Sequence, residues 1–155
     1  MQGGMWVEAD CNLISGESMV RQLLHGKNFF KDEFDIVVDN LWLPDVFGYS
    51  AALPQILKRA GVNYFLTQKL SWSQFNDFPH QTFNWRGIDG TEILTHFPPE
   101  NTYNSELDTE FLLPAQKGFK EKDRLNEFIS LFGVGDGGGG PKPENIEPVS
   151  YTHLR

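Results

Sequence analysis

The sequence predicts an α/β domain with parallel strands, and three observations carry that expectation. Short runs rich in β-forming residues recur at 37–43, 63–68 and 93–97. Interleaved with them are stretches with apolar residues at helical spacing, Met19, Val20, Leu23 and Leu24 in one, Leu53, Ile56, Leu57 and Ala60 in another. The alternation is that of βαβ units, whose crossovers bring the chain back in the same direction and gather the strand C-terminal ends along one edge.

Taken in order, residues 6–10 (WVEAD) are a short strand candidate that ends at Asp10. Ser15 is placed to cap a helix starting at Gly16, with Glu17 in its first turn, where a negative charge suits the helix dipole. Phe30 and Phe34 continue its apolar stripe, and Gly26 and Asn28 are expected to divide it in two. Val37, Val38, Leu41 and Leu43 form the next strand and lead into Pro44 and Asp45. After the loop Val46, Phe47, Gly48 and Tyr49, Ser50 is the expected cap of a helix in which Pro54 falls harmlessly in the first turn and Gly61 is the C′ residue. The run YFLTQ closes the following strand at Gln68 and Lys69. Residues 85–92, with Gly87 and Asp89-Gly90, are predicted to form a hairpin turn before the strand at 93–97. Further on, a short helix is expected at 104–113, stopped by Pro114, then a helix at 123–131 and a strand at 131–134 that ends at Gly135-Asp136. Asp10, Asp45 and Gln68 each close a strand candidate, so they are expected at the same end of one sheet.

Composition narrows the range of functions. The chain has 155 residues and a net charge of −8, without clustered Lys or Arg, which argues against nucleic acid and anionic membrane surfaces. Cys11 stands alone, so no internal disulfide forms. Without a signal peptide or an apolar run long enough to cross a bilayer, the expected compartment is the cytoplasm. Aromatic residues make up 14% of the chain and include Trp6, Trp42, Trp72 and Trp85, material for stacking on sugars as well as for a core.

Asp45 is the first candidate for chemistry. An acid at the end of a buried strand, with a glycine that lets the backbone turn and a capped helix behind it, is where α/β and barrel enzymes place catalytic groups. From the local pattern alone, an ordinary βα turn in which Asp45 bonds the loop backbone accounts for it slightly better.

Four blocks, MWVEADCNLISGESMVRQ, WLPDVFGYSAALPQIL, FLTQKLSW and FGVGDGGGGP, resemble in sequence and in order the catalytic domain of glycoside hydrolase family 38, the retaining α-mannosidases, and in particular their cytosolic-type branch. The resemblance covers the chain from Gly3 to about Glu147 and implies an internal piece of a larger catalytic domain, part of a (β/α)7-barrel-like fold. It implies that Asp45 is the nucleophile and also a ligand of a divalent metal, zinc being the expected ion. It implies Asp136 as the acid/base, although other branches carry an adjacent acidic pair and the register can differ by one. Asp10, Phe47, Tyr49, Gln68 and Lys69 are the expected substrate-binding residues, with packing an equal explanation for Phe47 and a salt bridge the favoured one for Lys69. The chain departs from the family in lacking the His-x-Asp pair and the later His that complete the metal site; His25, His80, His96 and His153 have no ligand spacing. The piece alone is therefore expected to bind metal weakly and to be inactive. The implied partner is a mannose-containing oligosaccharide, and homo-oligomerisation of the complete protein stays open. A metal-dependent carbohydrate deacetylase of similar barrel layout and a non-catalytic glycan-binding module are the alternatives.

Residues 148–155 are read separately. Their PVSYTHL is one translation frame of a transposon mosaic end used in sequencing libraries, so this tail is expected to be non-native and the domain to occupy 1–147.

Overall fold

Helix α1, Gly16–Phe34, starts where the sequence places it: the Ser15 hydroxyl accepts the Ser18 N–H at 3.2 Å. Glu17 sits in the first turn and pairs with Arg21 at 2.8 Å. The helix is not divided at Gly26. A Cβ there would lie 2.4 Å from the Met5 carbonyl carbon, 2.5 Å from Gly4 O and 2.6 Å from Trp6 N. Glycine is used at this point because backbone packs on backbone, which is a tertiary demand and not a break signal. Met19, Leu23 and Gly26 form the buried stripe, while Val20, Leu24 and Phe34 remain exposed.

The computed structural model describes residues 3–151, with side chains as far as residue 147. Two units are distinguished, Met1–Phe78 with Thr82–His96, and Pro79–Gln81 with Phe97–Arg155. The first contains α1, strand β1 (Asn40–Leu43), helix α2 (Leu53–Arg59), strand β2 (Tyr64–Thr67), a 3-10 turn (Lys69–Trp72), strand β3 (Thr82–Arg86) and strand β4 (Glu92–His96). Among its elements, α2 begins two residues later than the Ser50 cap suggested. Ser50 instead organises the preceding turn, its hydroxyl accepting the Ala52 N–H at 3.2 Å and its carbonyl the Leu53 N–H at 2.9 Å. Its C-terminus matches expectation. Gly61 takes φ 73°, with Gly61 N–H on Lys58 O and Val62 N–H on Leu57 O.

The four strands form one sheet in the order β1-β2-β4-β3. β1, β2 and β4 run parallel, and β3 is antiparallel to β4, the hairpin expected around residues 85–92. The reason is the turn at 87–91, closed by Gly87 N–H to Thr91 O at 2.8 Å, which is too short for a crossover and can only join antiparallel strands. Residues 6–10 form no strand. Their segment is spent on α1: Trp6 N–H bonds Gln22 O at 2.9 Å, and Val7 N–H bonds the Gln22 side chain at 2.9 Å. One face of the sheet supplies Leu41, Leu43, Phe65 and Ile93 to a core that also takes Met19, Leu23, Leu53 and Leu57 from the helices. The opposite face carries Trp42 and Leu66, half-buried, and the exposed Leu94.

The second unit contains helices α3 (Thr109–Gly118) and α4 (Pro143–Tyr151). α3 begins later than predicted because Asp108 is its cap, accepting the Phe111 N–H at 3.0 Å, and Pro114 lies inside it instead of stopping it. No helix forms at 123–131. Three apolar positions are too few to sustain one, and Phe128 is used against Phe119 with ring centroids 5.6 Å apart. The strand expected at 131–134 is reduced to one parallel bridge, Phe132 to Ser105. The tail reading at 148–155 falls partly on residues 152–155, outside the described residues.

Gly26→Ala in the intact protein is expected to lower the equilibrium denaturation midpoint, because the new methyl meets immobile backbone; overpacking of this kind costs about 1–3 kcal/mol. Gly16→Ala is the contrast, since nothing lies within 4 Å of its Cβ position, and its midpoint should hold or rise.

Candidate active site

The parallel pairing of β1 with β2 sets the geometry. Leu43 is registered against Thr67, so Asp45 and Gln68-Lys69, just beyond each strand, emerge at the same end of the sheet. This agrees with the expected placement of Asp45 and Gln68. Asp10 reaches its position from a loop: its carboxylate accepts the Asn12 and Leu13 N–H groups at 2.8 and 3.2 Å. That loop touches the one carrying Phe47, because a Cβ on Gly48 (φ 147°) would lie 2.8 Å from Asn12 Nδ2.

Lys69 is the organising cation. It is 8% exposed, and its ammonium lies 3.1 Å from Asp45 Oδ1 and 3.8 Å from the centroid of the Trp72 ring. An ammonium that far removed from water needs a compensating charge, and Asp45 supplies one. The salt bridge expected as the simpler role of Lys69 is therefore present, and its partner is the candidate nucleophile. Phe47 meets Trp72 edge to face, with centroids 5.8 Å apart.

Tyr49 faces inward. Its hydroxyl meets Thr67 Oγ1 and donates to Val46 O at 3.2 Å, and its ring packs edge to face on Phe65 at 5.0 Å. Burial holds the phenol well above its usual pKa, opposed in part by the Thr67 contact. Thr67 in turn donates to Leu43 O at 2.8 Å, so Tyr49 and Thr67 together clamp the end of β1 to the loop that follows Asp45. Gln68 donates from Nε2 to Ser71 Oγ at 3.1 Å and so braces the 3-10 turn.

Glu8 was not among the candidates, yet its carboxylate accepts the backbone N–H of Asp45. Burial of this end of the side chain raises its pKa above the usual 4.5; the Asp45 N–H opposes the shift, the Asp45 charge adds to it, and Lys69 opposes it. A sequence signal existed: Glu8 and Asp10 flank the buried Ala9 at two-residue spacing. Thr67 carried no comparable signal. Cys11 is buried, and its thiol is pushed up to about 11, chiefly by burial and then by Asp10 and Glu8, so it is not poised as a nucleophile.

Asp136 belongs to the second unit. It is exposed, at φ 52° in the Gly-rich loop, and a Cβ on the adjacent Gly135 would meet Tyr103 at 3.2 Å. Asp45, Phe47, Tyr49, Gln68 and Lys69 all belong to the first unit. Among the described residues no group of three His, Cys, Asp or Glu side chains is arranged to hold a metal ion. His96 Nδ1 is instead 2.7 Å from Thr82 Oγ1, and His80 Nδ1 is 3.1 Å from Glu121 Oε1. The described donor set does not by itself fit a metal centre.

Residues 1–154 match the family described as Glycosyl hydrolases family 38 N-terminal domain. The chain belongs to this family. Alpha-mannosidase G of Dictyostelium discoideum is 53% identical to it over 148 residues, 96% of this chain and 14% of that protein. Human Alpha-mannosidase 2C1 is 54% identical over 139 residues, 90% of this chain and 13% of that protein. Alpha-mannosidase of Saccharomyces cerevisiae is 48% identical over 147 residues, 95% of this chain and 14% of that protein. The chain thus spans about one-seventh of the length of these relatives. The crystal structure of an alpha-mannosidase from Enterococcus faecalis V583 superposes with a TM-score of 0.65 at 21% identity, over 97% of this chain and 17% of that one, and shares its fold with this family 38 segment.

Glu8 gives the site a pH dependence with a definite sign. A raised folded-state pKa means that the folded protein holds the proton more tightly, so this contribution to stability is full below about pH 4.5 and is lost as pH rises through the folded value. Glu8→Gln should remove that acid-range decline, and the difference in unfolding free energy between the two proteins, followed from pH 4 to 7, checks it.

Proposed function

We propose that the complete protein is a retaining α-mannosidase that hydrolyses terminal α-mannosyl residues of oligosaccharides, with Asp45 as its nucleophile. The observation that carries the reading is the position of Asp45 at the C-terminal edge of a parallel strand pair, paired with Lys69, in a chain of family 38. A retaining glycosidase uses two carboxyl groups, one as nucleophile and one as acid/base. In this reading Asp45 attacks the anomeric carbon while Asp136 passes a proton to the departing oxygen. Asp136 then takes a proton from the water that releases mannose.

Lys69 holds the Asp45 carboxylate in one direction, and Glu8 holds its backbone through the N–H. Phe47 and Asp10 line the sugar pocket, while Gln68, buried at this end of the sheet, contributes by bracing the turn that carries Lys69. Tyr49 contributes through the clamp on the loop that carries Asp45 and Phe47. Asp45 would be this chain's contribution to holding a divalent cation, zinc being the expected one, with the remaining ligands supplied by other parts of the complete protein. A (β/α)7-barrel-like layout is in keeping with helices packed on one face of the sheet and Trp42, Leu66 and Leu94 on the other, the face that lines the interior of such a barrel. Placement in the cytoplasm rests on the resemblance of the sequence motifs to the cytosolic-type branch, and a non-native tail at 148–155 on its sequence alone.

In the complete enzyme, Asp45→Ala should abolish turnover of every mannoside and lower bound metal. Asp136→Ala should slow substrates with poor leaving groups by a factor on the order of 10²–10⁴. Activated aryl mannosides should lose much less in the first step, with metal content unchanged. Equal loss on both substrate classes would remove Asp136 from the acid/base role.

A further inference from the structure

We propose that Trp72 is a stacking platform for the sugar ring on the leaving-group side of the bond cleaved at Asp45; this rests on the mannosidase reading above. The ligand class is a pyranose that presents a face of C–H bonds to the indole.

The placement comes from one nitrogen. Lys69 Nζ contacts the Asp45 carboxylate at 3.1 Å and covers the Trp72 ring at 3.8 Å, so indole and candidate nucleophile share a single cation. Lys69 is itself nearly buried, so the side of the indole it covers is the inward one. Despite that contact, Trp72 remains 63% exposed, and its edge-to-face neighbour Phe47 remains 64% exposed. Two large aromatic surfaces beside a carboxylate are suited to an amphipathic ligand, because a sugar ring can cover the apolar face while its hydroxyls stay hydrated.

Trp72 is also held in place. It ends the 3-10 turn that follows β2, where Ser71 N–H bonds Gln68 O at 3.1 Å and Ser73 N–H bonds Leu70 O at 3.3 Å. The Gln68 side chain ties to Ser71 at 3.1 Å within the same turn. The cation on one face and the braced backbone beneath fix the direction of the ring before any ligand arrives, which lowers the ordering cost of binding. Phe47 lies two residues after Asp45 in the same loop, so the sugar attacked by Asp45 is assigned to Phe47 and the next ring to Trp72.

The test uses the complete enzyme and two substrates, an α-linked mannobiose, whose leaving group is a sugar ring, and methyl α-mannoside, which has none. The reported quantity is the ratio of KM for the disaccharide to KM for the methyl glycoside. Trp72→Ala should raise this ratio by roughly 2- to 12-fold, the range of a single ring contact. Trp72→Leu, which keeps apolar bulk without a planar face, should raise it similarly, and Trp72→Phe should restore most of it. An unchanged ratio in Trp72→Ala, or a wild-type ratio in Trp72→Leu, overturns the proposal and assigns Trp72 to packing. If the wild-type enzyme hydrolyses neither compound, the mannosidase reading fails; calorimetric binding of mannobiose to wild type and the Leu variant then decides the platform, equal affinity overturning it and weaker binding to Trp72→Leu upholding it.

Discussion

The parallel register of β1 on β2 is the constraint on which the site depends. Side chains alternate along a strand, so with Leu43 opposite Thr67 both strands end together and their next residues emerge at one edge. A slip of one residue would turn Leu41 and Leu43 out of the core and move Asp45 away from Lys69. The register is held by several independent contacts. Leu41, Leu43, Phe65 and Ile93 are buried on the same face, and Thr67 donates to Leu43 O across the strands. Asn63 N–H also bonds Asp39 O at 2.7 Å at the opposite end of the pair.

On that edge the electrostatics are set by Lys69. A nearly buried ammonium beside an indole face is stable only with a carboxylate in contact, which ties the 3-10 turn after β2 to the loop after β1. Glu8 adds a second negative group on the backbone side of Asp45. Glu8 is raised above its usual pKa chiefly by desolvation, with the Asp45 charge adding a smaller push in the same direction. The Lys69 and Glu8 contacts together fix the direction of the Asp45 carboxylate and of its backbone.

The helix layer serves this edge indirectly. Gly26 lets α1 lie directly on the backbone of the 4–6 segment, and that segment leads into Glu8, Asp10 and Cys11. Trp42 N–H bonds Gly3 O at 3.2 Å, so the same segment is also fastened to β1. Helix packing, segment path and the carboxylate on Asp45 N–H therefore form one chain of contacts.

The sequence by itself determined the local elements whose signals are local. Ser15 capped α1, Gly61 ended α2, the Gly87 to Gly90 turn made a hairpin, and the β-rich runs at β1, β2 and β4 became strands, because each depends on backbone conformation or side-chain period within a few residues. The family motif around Asp45 was equally legible. Tertiary structure decided what depends on distant partners. Gly26 stayed helical because Met5 backbone fills the space where a side chain would sit, and residues 6–10 gave their hydrogen bonds to Gln22 instead of a strand. Pro114 remained inside α3 because the Asp108 cap set the start of that helix, a competition between start and stop signals that spacing alone does not rank. The Lys69 contact with Asp45 and the Glu8 contact with its N–H join residues 24 and 37 positions apart, and only the register of the folded sheet and the path of the first loop bring them together.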